Sequence, residues 1–129
     1  MRKLKLTDKR KQDYFYSEAI KILRTNIQFC GCSIKTILIT SCYPNEGKSD
    51  VVLSLAQELG SVGKKVLLLD ADIRKTVYTR MLDVEEEIKG LSQFLSGQVK
   101  LNEIIYATSF DNMDMIFAGP AAPNPSGLF

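Results

Sequence analysis

The strongest constraint on this chain is a turn joining two apolar segments of different period. Residues 35–40, Lys35-Thr-Ile-Leu-Ile-Thr40, are short, apolar and β-branched, which predicts a buried strand. Val51, Val52, Leu55, Ala56 and Leu59 recur at helical spacing and predict an amphipathic helix ending near Gly60 or Gly63. Between them lies Ser41-Cys-Tyr-Pro-Asn-Glu-Gly-Lys-Ser49. Binding a phosphate group takes inward-turned backbone N–H groups, a helix N-terminus behind them and a cation at the outer phosphates. Gly47 permits close backbone approach, Lys48 supplies the cation, and the Ser49 hydroxyl suits Mg²⁺. The match to G-x-x-x-x-G-K-[ST] is incomplete, because Cys42 stands at the first Gly. Gly-Lys-Ser alone would equally suit a turn and a helix cap; the flanking strand and helix favour phosphate.

A second signature follows the next apolar run, Val66-Leu-Leu-Leu69, which reads as a parallel strand covered on both faces. Asp70 and Asp72 stand at its carboxyl end, the edge at which open α/β sheets bind ligands. Two carboxylates there suit a Mg²⁺ ion, and one of them can accept a proton from an attacking hydroxyl. Asp-x-Asp in isolation is also a strand-ending turn with a helix cap; the upstream Gly-Lys-Ser turns the balance. Strand, helix and strand in this order make a right-handed βαβ unit.

Residues 17–29 carry Ile20, Leu23 and Ile27 on one face and predict an amphipathic helix with Ser17 as its N-cap. Residues 90–95 and 101–105 read as short helices, and residues 113–117 as a third strand before a Gly/Pro-rich loop. The fold class is α/β, a mainly parallel sheet of P-loop NTPase type flanked by helices.

Charge and composition exclude several functions. The chain has no histidine, which removes His-dependent nucleophile systems, and its three cysteines suggest reduced thiols rather than a disulfide framework or zinc site. No apolar run reaches the length of a membrane span and no signal peptide opens the chain, so a cytoplasmic location is expected. Residues 1–11 hold six bases (Arg2, Lys3, Lys5, Lys9, Arg10, Lys11) against Asp8 alone, whereas the rest of the chain is acidic. An acidic body argues against nucleic-acid binding. The basic segment is expected to be either a solvated, disordered terminus or a peripheral contact for acidic lipids at the inner membrane face.

In their order along the chain, five segments resemble the bacterial P-loop tyrosine kinases of capsular and exopolysaccharide biosynthesis. They are Ser17-Glu-Ala-Ile-Lys-Ile-Leu-Arg-Thr-Asn-Ile-Gln-Phe29, the Ser-x-x-Pro-x-Glu-Gly-Lys-Ser loop, Leu69-Asp-Ala-Asp-Ile-Arg-Lys75, Gly90-Leu-Ser-Gln-Phe-Leu95 and Ala118-Gly-Pro-Ala-Ala-Pro-Asn-Pro-Ser126. The resemblance implies an ATP- and Mg²⁺-dependent kinase that phosphorylates protein tyrosines, including its own, within a homo-oligomer. It also implies a separate membrane-embedded activator, the polysaccharide co-polymerase chain. On this resemblance Asn45, Glu46, Gly47, Lys48, Ser49 and Asp50 bind the nucleotide, Ser49, Asp70 and Asp72 hold the metal, and Lys48, Asp70 and Asp72 serve catalysis. Glu18, Lys21 and Arg24 match the family's Glu-x-x-Arg-x-x-Arg oligomer motif, with Lys in place of the middle Arg.

Two loop positions depart from the family: Asn45 replaces Gly, and Asp50 replaces Thr directly after Ser49. A carboxylate in the first helical turn favours the helix but repels a nearby polyphosphate, so Asp50 is expected to lower ATP affinity. Residues 1–16 are read as a basic N-terminal segment and 17–129 as a partial kinase domain that stops before the Walker B strand. Sheet edge and apolar surface are then expected to lie uncovered, with self-association as the consequence. Two other readings compete with the kinase. A partitioning-type ATPase is disfavoured by Cys42 and Tyr43 where that group carries an extra Lys, and an inactive binding module is favoured by Asp50.

Overall fold

The computed structural model describes residues 2–8, 10, 13–31, 35–39, 47–72, 78–84 and 87–120. Strands β1 (Arg2–Leu4), β2 (Val66–Leu69), β3 (Ile105–Thr108) and β4 (Met113–Ile116) form a four-stranded sheet in the order β1-β3-β4-β2. Helices α1 (Tyr14–Phe29) and α2 (Lys48–Ser61) are long; α3 (Tyr78–Met81), α4 (Leu91–Leu95) and a 3₁₀ turn at Leu101–Glu103 are short. β1 pairs with β3 and β2 with β4 in parallel, while β3 and β4 form an antiparallel hairpin. The α/β class holds: the sheet is mixed, with two parallel pairings and one antiparallel.

The hairpin was hidden in the sequence because Leu101–Ile105 has helical spacing; only Leu101–Glu103 is helical, and Ile105 already begins β3. Its turn is closed by Asn112, which takes φ +55° at low cost for an Asn, and by Thr108 Oγ1, which donates to the Met113 carbonyl at 2.6 Å. The same Asn112 ties the hairpin to α2, its amide donating to the Gly60 carbonyl at 2.9 Å. Gly60 is required there: a Cβ would strike the Asp111 carbonyl oxygen. Gly90 is needed likewise, because its α-carbon rests against the Phe117–Gly119 backbone.

Side-chain alternation along β4 divides the interior. Met113 and Met115 face the main cluster with Leu53, Ala56 and Leu68, whereas Ile116 faces a smaller one with Leu91, Ile104 and Ala118. β2 was expected to be covered on both faces, and here the structure differs. Leu68 is buried, but Leu67 and Leu69 on the opposite face remain 54% and 50% exposed, because nothing among the described residues packs over them.

Three further expectations are corrected. The basic segment is not a free tail: β1 adds to the sheet edge, Leu4 and Leu6 enter the main core, and Leu6 exchanges hydrogen bonds with Ser109 Oγ. Alternating apolar residues between the bases (Leu4, Leu6) outweigh the charge, since the Lys3 and Lys5 side chains point outward to solvent. Helix α1 begins at Tyr14 rather than after Ser17, because Asp13 caps it by accepting from the Tyr16 N–H at 2.7 Å. Finally, residues 35–39 form no strand, and Leu38 is 87% exposed. Thr40 and the following loop to Glu46 lie outside the described residues. Propensity supplied an apolar run at 35–39, but a strand needs a neighbour to bond to, and none of the four strands takes it.

Leu4→Ala tests whether the basic segment is structural: a core deletion of this kind costs roughly 2–4 kcal/mol, so chemical denaturation should show a clear drop in midpoint. A variant as stable as the native chain would restore the free-tail reading.

Candidate nucleotide-binding site

The site is assembled where the first turn of α2 meets the carboxyl end of β2. Gly47 is the N-cap of α2 at φ +77°, a left-handed conformation with open space where a side chain would stand. Having no side chain, it leaves the first-turn N–H groups facing outward at the positive end of the helix dipole. Lys48 and Ser49 open the helix directly behind it. The Ser49 carbonyl is held from the other side by Tyr78 Oη, which donates to it at 3.2 Å. Burial, followed by the nearby Asp70 charge, pushes the Tyr78 hydroxyl up to about 12, so it stays a protonated donor at any physiological pH.

Asp70 follows β2 immediately and is fixed by its own backbone, its N–H donating to the Ile116 carbonyl at 2.9 Å. Its side chain is buried and accepts from the Asp72 N–H at 3.1 Å. Burial raises its pKa to about 6; the Asp72 hydrogen bond and the Lys48 ammonium oppose that rise, and the Asp72 charge adds to it. Lys48, Asp70 and Asp72 therefore share one electrostatic neighbourhood. Asn45 and Glu46, predicted to line the same loop, lie outside the described residues.

The residues present fit a nucleoside polyphosphate with a divalent ion. An open glycine cap, a lysine at the head of a long helix and a carboxylate kept partly protonated by burial supply a phosphate end and a metal end. Among the described residues there is no cluster of three or more Asp, Glu, Cys or His side chains able to hold a metal unaided. Mg²⁺ is commonly held by one or two carboxylates, with water and phosphate oxygens filling the rest of its shell.

Asp50 has a neighbour the sequence did not reveal. Arg10 lies 3.6 Å from its carboxylate and donates to its carbonyl at 2.8 Å. No spacing rule connects the two positions, and only the docking of the N-terminal segment on α2 brings them together. Tyr78 was equally invisible, being one of five scattered tyrosines.

The predicted oligomer motif lies on α1. Lys21 pairs with Glu18 at 3.6 Å, and Arg24 reaches across to Glu58 of α2 at 2.7 Å. That contact ties α1 to the phosphate-loop helix within one chain. Among the described residues no helix is long and apolar enough to cross a membrane.

A family profile described as an AAA domain matches residues 34–121. The chain is similar to tyrosine-protein kinase CpsD of Streptococcus agalactiae, 39% identical over 129 residues, covering 99% of this chain and 56% of that protein. It spans about half the length of the curated relatives it matches. Among solved structures, the kinase domain of the Escherichia coli tyrosine kinase ETK superposes with a TM-score of 0.76 at 34% identity, over 88% of this chain and 45% of that one. The septum site-determining protein MinD of Pyrococcus horikoshii, solved with Mg-ADP, gives 0.61 at 30% identity, over 70% and 37%.

The raised Asp70 pKa has a stability consequence. An unfolded Asp ionises near 3.8 and the folded one at about 6, so between these values the folded chain keeps a proton that the unfolded chain has lost. Stability of the nucleotide-free protein should therefore fall as pH rises from about 4 to about 6 and stay lowered above that. Asp70→Asn should remove this slope and stabilise the nucleotide-free chain at pH 7 by roughly 2–3 kcal/mol, read from denaturation midpoints across pH. An unchanged slope in that variant would refute the assignment.

Proposed function

Since the chain belongs to the AAA-domain family and, within it, to the bacterial P-loop tyrosine kinases, we propose that it binds Mg-ATP at the α2–β2 junction and transfers a phosphoryl group to tyrosine. The observation that carries the reading is the convergence of Lys48, Asp70 and Asp72 at the head of α2. When bound, Mg-ATP would supply the phosphoryl group and a counter-charge for its oxygens.

The residues divide the work by chemistry. The backbone N–H groups of Gly47 to Asp50 would cradle the phosphates, and the resemblance adds Asn45 and Glu46 to that loop. Lys48 places its ammonium where negative charge grows as the phosphoryl group departs. The Ser49 hydroxyl and the Asp70 and Asp72 carboxylates would be the oxygen donors for the metal. One of the two carboxylates would also accept the proton of an attacking tyrosine hydroxyl. Tyr78 keeps the first turn of α2 in place under these groups.

The resemblance extends the proposal to partners. Glu18, Lys21 and Arg24 would contribute to contacts between copies, and a membrane-embedded co-polymerase chain would be the activator, which would bring the protein to the inner face of the membrane. The acidic body supports a protein rather than a nucleic-acid substrate. The MinD likeness favours one alternative, nucleotide hydrolysis without transfer to protein.

Incubation with Mg-ATP should yield phosphotyrosine on the chain or on an added tyrosine substrate, and Lys48→Met should abolish it, a loss of at least a hundredfold for a residue of this role. Inorganic phosphate release without phosphotyrosine would instead establish the ATPase reading.

A further inference from the structure

Arg10 has no part in the chemistry proposed above, yet it is among the most completely engaged side chains near the site. Its guanidinium lies along the first three turns of α2. Nη1 donates to the Asp50 carbonyl and to Ser54 Oγ, both at 2.8 Å, and Nη2 donates to Gln57 Oε1 at 3.1 Å. From the other side Asp8 grips it through two parallel bonds, Nε to Oδ1 at 2.9 Å and Nη2 to Oδ2 at 2.7 Å. Gln57 closes the ring by donating to Asp8 Oδ2 at 3.1 Å. The Arg10 side chain is only 11% exposed, whereas Asp50 is 48% exposed and 3.6 Å away. Leu4 and Leu6, both in the core, fix the segment that presents Arg10.

Asp50 is the one acidic residue in the first turn of α2. That turn also carries Lys48 and Ser49, so a carboxylate there works against an incoming polyphosphate. Arg10 answers it in two ways. Its charge offsets that of Asp50, and its bond to the Asp50 carbonyl, with that of Tyr78 to the Ser49 carbonyl, clamps the turn from two directions. Without Arg10, Asp50 in the first turn would lose the guanidinium beside it, and Asp8 would keep the Gln57 amide as a donor.

We propose that Arg10 is a positioning residue for nucleotide binding: it offsets Asp50 and pins the first turn of α2, so that the N-terminal segment sets the affinity for a nucleoside polyphosphate. This rests on the nucleotide reading given above. It also replaces the expectation that Asp50 alone weakens affinity, because the penalty emerges only once Arg10 is removed.

The test is a double-mutant cycle on the full chain with two readouts, Mg-ADP titration by calorimetry and nucleotide-free thermal melting. Arg10→Ala should weaken Mg-ADP binding about tenfold, more at low salt than at high. Arg10→Lys, which keeps the charge without the fork, should stay within about threefold of the native chain. Adding Asp50→Asn to Arg10→Ala should recover most of the loss, which a merely structural role for Arg10 would not permit. Should Arg10→Ala unfold, Arg10→Gln, which retains a donor and loses the charge, carries the same cycle. The melts should show coupling between positions 10 and 50 without nucleotide. An equal loss of affinity in both Asp50 backgrounds, or no thermal coupling, overturns the proposal while leaving the nucleotide reading intact. Thermal coupling with no Mg-ADP binding to the native chain overturns the nucleotide reading, and the proposal with it.

Discussion

The site depends on one arrangement, the carboxyl end of β2 held under the first turn of α2. The backbone bond from Asp70 N–H to the Ile116 carbonyl sets how far β2 runs before the chain turns away. The contact of Gly60 with the Asp111–Asn112 turn sets how closely α2 lies on the hairpin. Together they bring the positive end of a helix to the edge of a sheet where a buried carboxylate waits. Both the raised pKa of Asp70 and its interaction with Lys48 would weaken if α2 stood farther off, the first because it comes from exclusion of water and the second because it comes from the nearness of the two charges.

The same arrangement explains why the site carries strained electrostatics. A buried aspartate is unfavourable in the absence of ligand, whereas an acidic first turn suits the helix dipole and becomes unfavourable only against a bound polyphosphate. The chain meets the first with the Lys48 ammonium and the Asp72 N–H. It meets the second with an arginine brought from the N-terminal segment. Sites poised for charge transfer commonly hold such perturbed groups, since the ligand and its metal ion supply the missing counter-charge.

Much of the fold was legible in the sequence, for identifiable reasons. α2, α4 and β4 have apolar periods that match their structures, β2 lies where its apolar run placed it, and Gly47 marks the start of α2. The hairpin strand at 105–108 was not legible, because its residues continue a helical spacing from Leu101. Residues 35–39 failed in the opposite sense: their composition suits a strand, but strands exist only as pairs, and the sheet closes without them. The open faces of Leu67 and Leu69 have the same origin, since composition does not say whether a covering layer is present.

By itself the sequence determined the placement of the candidate groups: a glycine, lysine and serine at the head of a helix and two aspartates after a strand, the order on which the proposed phosphate site rests. Local patterns suffice for this because each element folds around its own period and each turn around its own glycine. Only the tertiary structure decided how those groups are tuned. Burial of Asp70, the hydroxyl of Tyr78 under Ser49, and the Arg10 clamp on Asp50 all join positions far apart in the chain. Charge compensation and desolvation act through space over a few ångströms, and no period along the chain records them.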